Sequence, residues 1–151
     1  MGNGILGTKV VTQIGIIVKD IDKTSEAFAD FLGVDKPQWR LTDGHDVART
    51  RLRGEATDAR AKLAFFHVGS VDIELIEPVG GPSTWKEFLD EHGEGVHHIA
   101  FIVKDMHQKI QDLEQIRIPL IQSGEYVGGR YAYMDASESL KVIIELLEND
   151  V

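Results

Sequence analysis

An internal duplication constrains this chain more than any other feature of its sequence. Gln13-Ile-Gly-Ile-Ile-Val-Lys-Asp-Ile-Asp22 aligns with His98-Ile-Ala-Phe-Ile-Val-Lys-Asp-Met-His107, an offset of 85 residues, with five of ten positions identical. Val71-Asp-Ile-Glu-Leu-Ile-Glu77 aligns with Val142-Ile-Ile-Glu-Leu-Leu-Glu148, an offset of 71, with five of seven identical. The pairs occur in the same order, so the chain reads as two copies of one module, about 9–80 and about 94–149. The difference of 14 between the offsets requires extra sequence in the first copy, and the charged, Gly-containing stretch Asp43–Asp58 is where it falls.

Each copy reads as β-α-β-β-β, which makes the fold class α+β. In the first, Val10–Lys19 is β-branched and apolar, as a buried strand requires. Asp20 or Asp22 can cap a helix over Lys23–Leu32 that stops at Gly33, with Ala27, Phe28, Phe31 and Leu32 on its apolar side. Trp39–Thr42 reads as a short strand, and Ala61–Val68 and Val71–Pro78 as a hairpin joined at Gly69-Ser70. The second copy reads as strand Val96–Lys104, helix Met106–Ile116, then strands near Pro119–Gln122, Arg130–Asp135 and Leu140–Leu147. Pro82–His92 supplies a short connecting helix with Trp85, Phe88 and Leu89 at core-like spacing.

Four polar side chains repeat with the fold. Gln13 and His98 hold equivalent positions on the first strand of each copy, and Glu74 and Glu145 on the last. Taken singly, a strand glutamate belongs on a solvent face, and a lone histidine is an ordinary core or surface residue. Taken together they differ, because both glutamates lie in apolar strands where an unpaired carboxylate is costly. A pseudo-two-fold relation between the modules would bring all four to one point. One nitrogen, three oxygens and two negative charges suit a single divalent cation with open coordination positions: Mn, Co, Ni, Fe or Zn. Strand alternation sends His97 to the opposite face from His98.

The remaining composition narrows the function classes. A length of 151 residues accommodates one domain, 1–151, with a substantial core. No apolar run is long enough to cross a membrane, and Met1–Thr8 reads as a frayed end rather than a secretory signal. With no cysteine there are no disulfides, thiolate nucleophiles or Cys-type zinc sites, and a cytoplasmic location is expected. A net charge of −9 argues against nucleic-acid binding. Arg49, Arg51 and Arg53 alternate like one face of a strand. A solvated face is the simpler reading, and guidance of an anionic substrate is the other. His45, His67, His92 and His107 lack repeat partners and read as ordinary.

These residues resemble the vicinal oxygen chelate superfamily, which includes glyoxalase I, methylmalonyl-CoA epimerase, extradiol dioxygenases and bleomycin-resistance proteins. The nearest look-alike is the methylmalonyl-CoA epimerase family, through Ile73-Glu-Leu-Ile-Glu-Pro78 and His92-Gly-Glu-Gly-Val-His-His-Ile-Ala-Phe101. The resemblance implies paired modules forming a cupped, partly closed mixed sheet around a metal site whose ligands are Gln13, Glu74, His98 and Glu145. It further implies proton abstraction next to a carbonyl or acyl-CoA thioester, with Glu145 as base and Glu74 as the alternative, and a homodimer. Two departures stand out. Gln13 replaces the epimerase's usual histidine and resembles the eukaryotic glyoxalase I pattern, which keeps a lactoylglutathione lyase in play. Met134-Asp-Ala-Ser-Glu-Ser139 replaces a His-Pro-Lys segment, so recognition of CoA is not implied there. Tyr126-Val-Gly-Gly-Arg-Tyr131 resembles the mobile Gly-rich segment beside such sites. A metal-free small-molecule binding protein is the non-catalytic alternative, and the presence of all four ligand types argues against it. A dioxygenase would favour two histidines and one carboxylate.

Overall fold

The β-branched runs that open the two copies become neighbouring central strands, and everything else is built outward from them. The structure is a computed structural model describing residues 4–151. The first copy contains β1 (Gln13–Ile17), α1 (Ile21–Leu32), β2 (Arg40–Leu41), α2 (His45–Ala48), β3 (Arg51–Leu52), β4 (Glu55–Ala56), β5 (Arg60–Val68) and β6 (Val71–Val79). Helix α3 (Thr84–His92) leads into β7 (Gly95–Ile102), α4 (Met106–Gln115), β8 (Leu120–Tyr126), β9 (Gly129–Ala136) and β10 (Val142–Asn149). The ten strands form one curled, mixed sheet in the order β2-β5-β6-β1-β7-β10-β9-β8-β3-β4.

Apart from β3 and β4, that order is the same four-strand arrangement twice, joined where β1 and β7 pair antiparallel. Each first strand pairs parallel with the last strand of its own module, β1 with β6 and β7 with β10. A parallel pair needs a crossover connection, and α1 and α4 begin the two crossovers. The repeat extends to the helix starts. Glu77 accepts the Ile21 N–H at 2.9 Å, and Glu148, its repeat partner, accepts the Met106 N–H at 3.2 Å. Carboxylates at these positive helix ends satisfy backbone donors that would otherwise lack partners. Asp20 completes the first cap by accepting from Lys23 N, and Gly33 closes α1 at φ 71°.

Period-2 alternation gives the sheet two different faces. On the convex side α1 covers Ala64, Phe66 and Leu75, while α4 covers Ala132, Met134, Ile144 and Leu146. On the concave side Ile17, Ala61, Ile76 and Tyr133 gather around Trp85 of α3, which closes one end of the cup. Among the described residues, no helix is long and apolar enough to cross a membrane.

Several expectations need correction. The opening strands, Gln13–Ile17 and Gly95–Ile102, stop short of the ends of their apolar runs at Lys19 and Lys104, although single backbone bonds continue past them, Val18 N to Ile76 O and Val103 N to Leu147 O. Phe31, expected on the apolar side of α1, is 85% exposed, since Ser25 and Ala29 form the buried stripe with Ile21. The Asp43–Asp58 insertion carries structure of its own. It leaves β2 at one edge of the sheet and ends in the β3–β4 hairpin, which pairs with β8 at the edge of the other module. Arg49, Arg51 and Arg53 therefore do not line one strand face: Arg49 and Arg53 adopt left-handed backbone at φ 49° and 48°, with Arg51 alone in β3. Tyr126–Tyr131, the Gly-rich segment, is the tip of the β8–β9 hairpin. Met1–Asn3, part of the stretch read as a frayed end, lie outside the described residues, while Leu6 packs against the second-module core.

Candidate metal centre

Two rows of side chains cross the junction between β1 and β7. Cross-strand pairing aligns Glu74 with Gly15 and Gly15 with His98, and the next row aligns Gln13 with Ala100 and Ala100 with Glu145. The duplication exchanges one row for the other: Glu74 for Glu145, Gly15 for Ala100, His98 for Gln13. Each row is thus a glutamate, a small residue and a longer donor, and the two run in opposite directions. The small residues leave the space. A Cβ on Gly15 would land inside the His98 imidazole, so glycine there is what lets the ring lie across β1.

The four side chains singled out from the duplication meet. His98 Nε2 lies 3.2 Å from Gln13 Oε1, 3.2 Å from Glu145 Oε1 and 3.5 Å from Glu74 Oε1. His98 is fully buried, and Glu74 and Glu145 nearly so. Donors bonded to one ion at about 2.0–2.2 Å stand roughly 3 Å apart, close to these separations. Glu145 Oε1 is buried without a geometrically sound hydrogen bond despite its nearness to His98. A buried carboxylate oxygen without a hydrogen bond calls for a further partner. Two carboxylates, an imidazole nitrogen and an amide oxygen are a donor set that could hold one divalent cation.

The electrostatics show what so much buried charge costs. Burial first, then the neighbouring Glu145 carboxylate, pushes the Glu74 carboxyl up to about 8, against the opposing pull of His98 and Arg40. Burial also works against a charged His98, but the Glu145 and Glu74 carboxylates outweigh it and raise its pKa. A cation at this point would oppose the protonation that both shifts favour.

His97 is not where strand alternation puts it. Gly15 pairs with His98 and Ile16 with Val96, so His97 is the extra residue of a β-bulge. A bulge re-aims the side chains around it, which is how adjacent histidines come to touch. His97 Nδ1 is 2.8 Å from His98 Nδ1, and the His97 ring packs edge-on against Phe88 and Tyr133. Burial, aided by the charge of His98, holds His97 well below the usual histidine range, so it is neutral. If His98 offers Nε2 to a cation, its Nδ1 carries the proton and donates it to His97.

Gln13, Glu74 and Glu145, with His98 buried behind them, line a cavity of about 230 Å³. Its walls include Leu63 and Phe65 from β5, Trp85 from α3, Tyr131 and Tyr133 from β9, and Ala48 and Thr50 from the insertion. Tyr133 Oη accepts from Trp85 Nε1 at 3.0 Å, and Tyr131 Oη accepts from Gln122 Nε2 at 3.0 Å. Glu125 belongs to this wall and pairs with Arg49 at 3.4 Å, which ties that arginine to the rim. Arg51 and Arg53 are not among the cavity-lining residues. The histidines read as ordinary also lie outside its walls.

A model of the glyoxalase/bleomycin resistance protein/dioxygenase superfamily matches residues 12–134. The chain belongs to this superfamily. The uncharacterized protein YqjC of Bacillus subtilis (strain 168) is 34% identical over 94 residues, 60% of this chain and 67% of that protein. The 2-epi-5-epi-valiolone epimerase of Actinomyces sp is 26% identical over 140 residues, 87% of this chain and 76% of that enzyme. The crystal structure of methylmalonyl-CoA epimerase from Mycobacterium tuberculosis superposes with a TM-score of 0.65 at 21% identity, covering 100% of this chain and 93% of that one. This last likeness is one of fold. The sequence relatives include epimerases of the superfamily.

Gly15, Ala100, Tyr133 and the bulge at His97 were not read from the sequence as parts of the site. For Gly15 and Ala100 a signal was present, because they are the two small residues at equivalent positions of the duplication. For His97 there was none, since a bulge has no marker in Val96-His97-His98.

Proposed function

We propose that this chain is a metal-dependent epimerase or isomerase that removes and returns a proton next to a carbonyl or thioester, with Gln13, Glu74, His98 and Glu145 holding one divalent cation. What carries this reading is the convergence of the three oxygens on His98 Nε2 in a buried, otherwise uncompensated cluster at the floor of a cavity. When bound, the cation supplies Lewis-acid stabilisation to the negative charge that develops on the substrate oxygen.

The chain's own groups do the rest. Glu145 lines the cavity, so its carboxylate can reach the transferred proton, and it is the base we assign. Glu74, the equivalent glutamate of the other module and also a cavity-lining residue, is the alternative base. Leu63, Phe65, Trp85 and the tyrosine wall exclude water from the transferred proton. Tyr133, pushed well above the usual tyrosine range mainly by burial, stays a neutral hydroxyl beside the reacting centre.

The epimerase names carried by the sequence relatives support stereochemical inversion at an acidic carbon, and methylmalonyl-CoA is the first substrate to try. Gln13 at the fourth donor position favours a second reading, a lactoylglutathione lyase. The deciding experiment follows exchange of the α-proton in deuterated water by the Mn-loaded protein, with methylmalonyl-CoA and separately with the methylglyoxal–thiol adduct. Exchange into methylmalonyl-CoA supports the first reading, conversion of the adduct supports the second, and inertness towards both would contradict each.

A further inference from the structure

We propose that Arg40 forms a subsite for an anionic oxygen group of the substrate, a carboxylate in the simplest case, across the cavity from the four-donor cluster. This deepens the proposed function and rests on it for the position of the substrate's reacting end.

Strand β2 is two residues long, yet its register is well fixed. Arg40 pairs with Leu63, Thr42 N donates to Ala61 O at 2.9 Å, and Ala61 N donates to Thr42 Oγ1 at 2.9 Å. Leu63 and Phe65 both line the cavity and Phe65 pairs with Glu74, so this pairing places Arg40 on the concave face. Its flanking residue Trp39 points the other way, where Lys62 sits 4.5 Å over the indole ring. Strands lie about 4.8 Å apart, so the two spacings from β2 through β5 to β6 put the Arg40 and Glu74 backbones about 10 Å apart across the sheet, with a further two-residue offset along β5 between Leu63 and Phe65. A guanidinium reaching inward across part of that gap leaves room for a short substrate between it and the cluster.

The charge pattern of the cavity makes this arginine unusual. Arg40 is the one basic residue among the cavity-lining residues, which carry the carboxylates Asp43, Glu74, Glu125 and Glu145. Glu125 is already paired with Arg49, and a divalent cation would balance Glu74 and Glu145. No ion pair joins Asp43 to Arg40, and among the described residues the Arg40 guanidinium has no hydrogen-bonded or ionic partner. A planar fork of donors at the mouth of an otherwise acidic cavity matches a carboxylate by paired hydrogen bonds. It selects for molecules with oxygens at one end for the ion and an anionic group at the other.

The test uses two probes that share a 2-oxo acid end and differ only at the far end. They are 2-oxoglutarate, with a distal carboxylate, and 2-oxopentanoate, without one. Binding of each to the Mn(II)-loaded protein is measured by calorimetry for wild type, Arg40→Gln and Arg40→Lys, after Mn(II) uptake by each has been titrated. Wild type should prefer 2-oxoglutarate by about 10-fold or more, the scale of a charge-assisted hydrogen bond. Arg40→Gln should lose that preference while keeping its Mn(II) affinity, and Arg40→Lys should retain part of it. Equal binding of the two acids to Mn-loaded wild type, or a preference unchanged in Arg40→Gln, overturns the subsite and leaves the ion centre standing. Failure of wild type to take up Mn(II) overturns both.

Discussion

At the scale of single residues, the site depends on what is small as much as on what is polar. Gly15→Ala would put a methyl group into the space the His98 ring occupies, and that ring, held between strands, has nowhere to retreat. Isothermal titration with Mn(II) should show at least a ~10-fold loss of affinity in this variant, comparable to losing a supporting contact. His97→Phe should also weaken Mn(II) binding by about 10- to 100-fold, because the proton on His98 Nδ1 loses its acceptor. An affinity equal to wild type would show that the bulge contact has no part in ordering His98. The pKa shifts give a pH dependence whose sign is fixed. The folded state raises Glu74 from 4.5 to about 8, so the stability it contributes is complete below pH 4.5 and lost as pH rises towards 8. The raised His98 acts in the same sense, above its ordinary 6.5. Melting curves of chelator-treated protein should therefore fall from pH 5 to pH 8, and Glu74→Gln should flatten the slope. Saturating Mn(II) should flatten it too, since the ion binds the deprotonated groups. A slope unchanged in Glu74→Gln contradicts the assignment. The donors themselves were legible in the sequence because the duplication marks them. Their supports were not, because a close approach or a bulge depends on the partner strand.

At the scale of elements, α3 and the insertion determine the shape of the cavity. Ser83 caps α3 by accepting from Lys86 N, and the buried Gln122 Oε1 accepts from Thr84 N at 2.8 Å. The Gln122 amide continues to Tyr131, so one side chain connects α3, β8 and the cavity wall. Gln122→Leu strands the buried Thr84 N–H donor and takes away the donor that Tyr131 Oη accepts from, a cost of about 1–3 kcal/mol. At roughly 2–4 °C per kcal/mol for a chain of this size, its melting temperature should fall by several degrees. Mn(II) affinity should stay within about 3-fold of wild type, because none of the four donors moves. A large loss of affinity would mean that α3 positions the donors directly. Helix α3 could be read from the spacing of Trp85, Phe88 and Leu89. The path of the insertion could not, because β3 and β4 are two residues each and are defined by the distant β8 they join. Composition marked Asp43–Asp58 as extra sequence without showing that it reaches across to the other module.

At the scale of the whole molecule, the two copies explain both the sheet and the centre. Each module supplies one glutamate and one longer donor, so neither module alone contains the cluster. The fold was legible to this extent because each apolar run is long and the duplication shows which runs are equivalent. The junction of β1 with β7 then brings the equivalent positions together. What sequence alone leaves open is chemical identity, since neither the ion nor the substrate leaves a periodic trace in the chain. The most direct test of the central claim is the Mn(II) stoichiometry and affinity of wild type beside Gln13→Ala, Glu74→Ala, His98→Ala and Glu145→Ala, each first shown to fold. The expected result is one ion per wild-type chain and a loss of at least ~10-fold in every variant. No stoichiometric uptake by wild type, or uptake that all four variants leave unchanged, would contradict a shared ion at the junction of the modules.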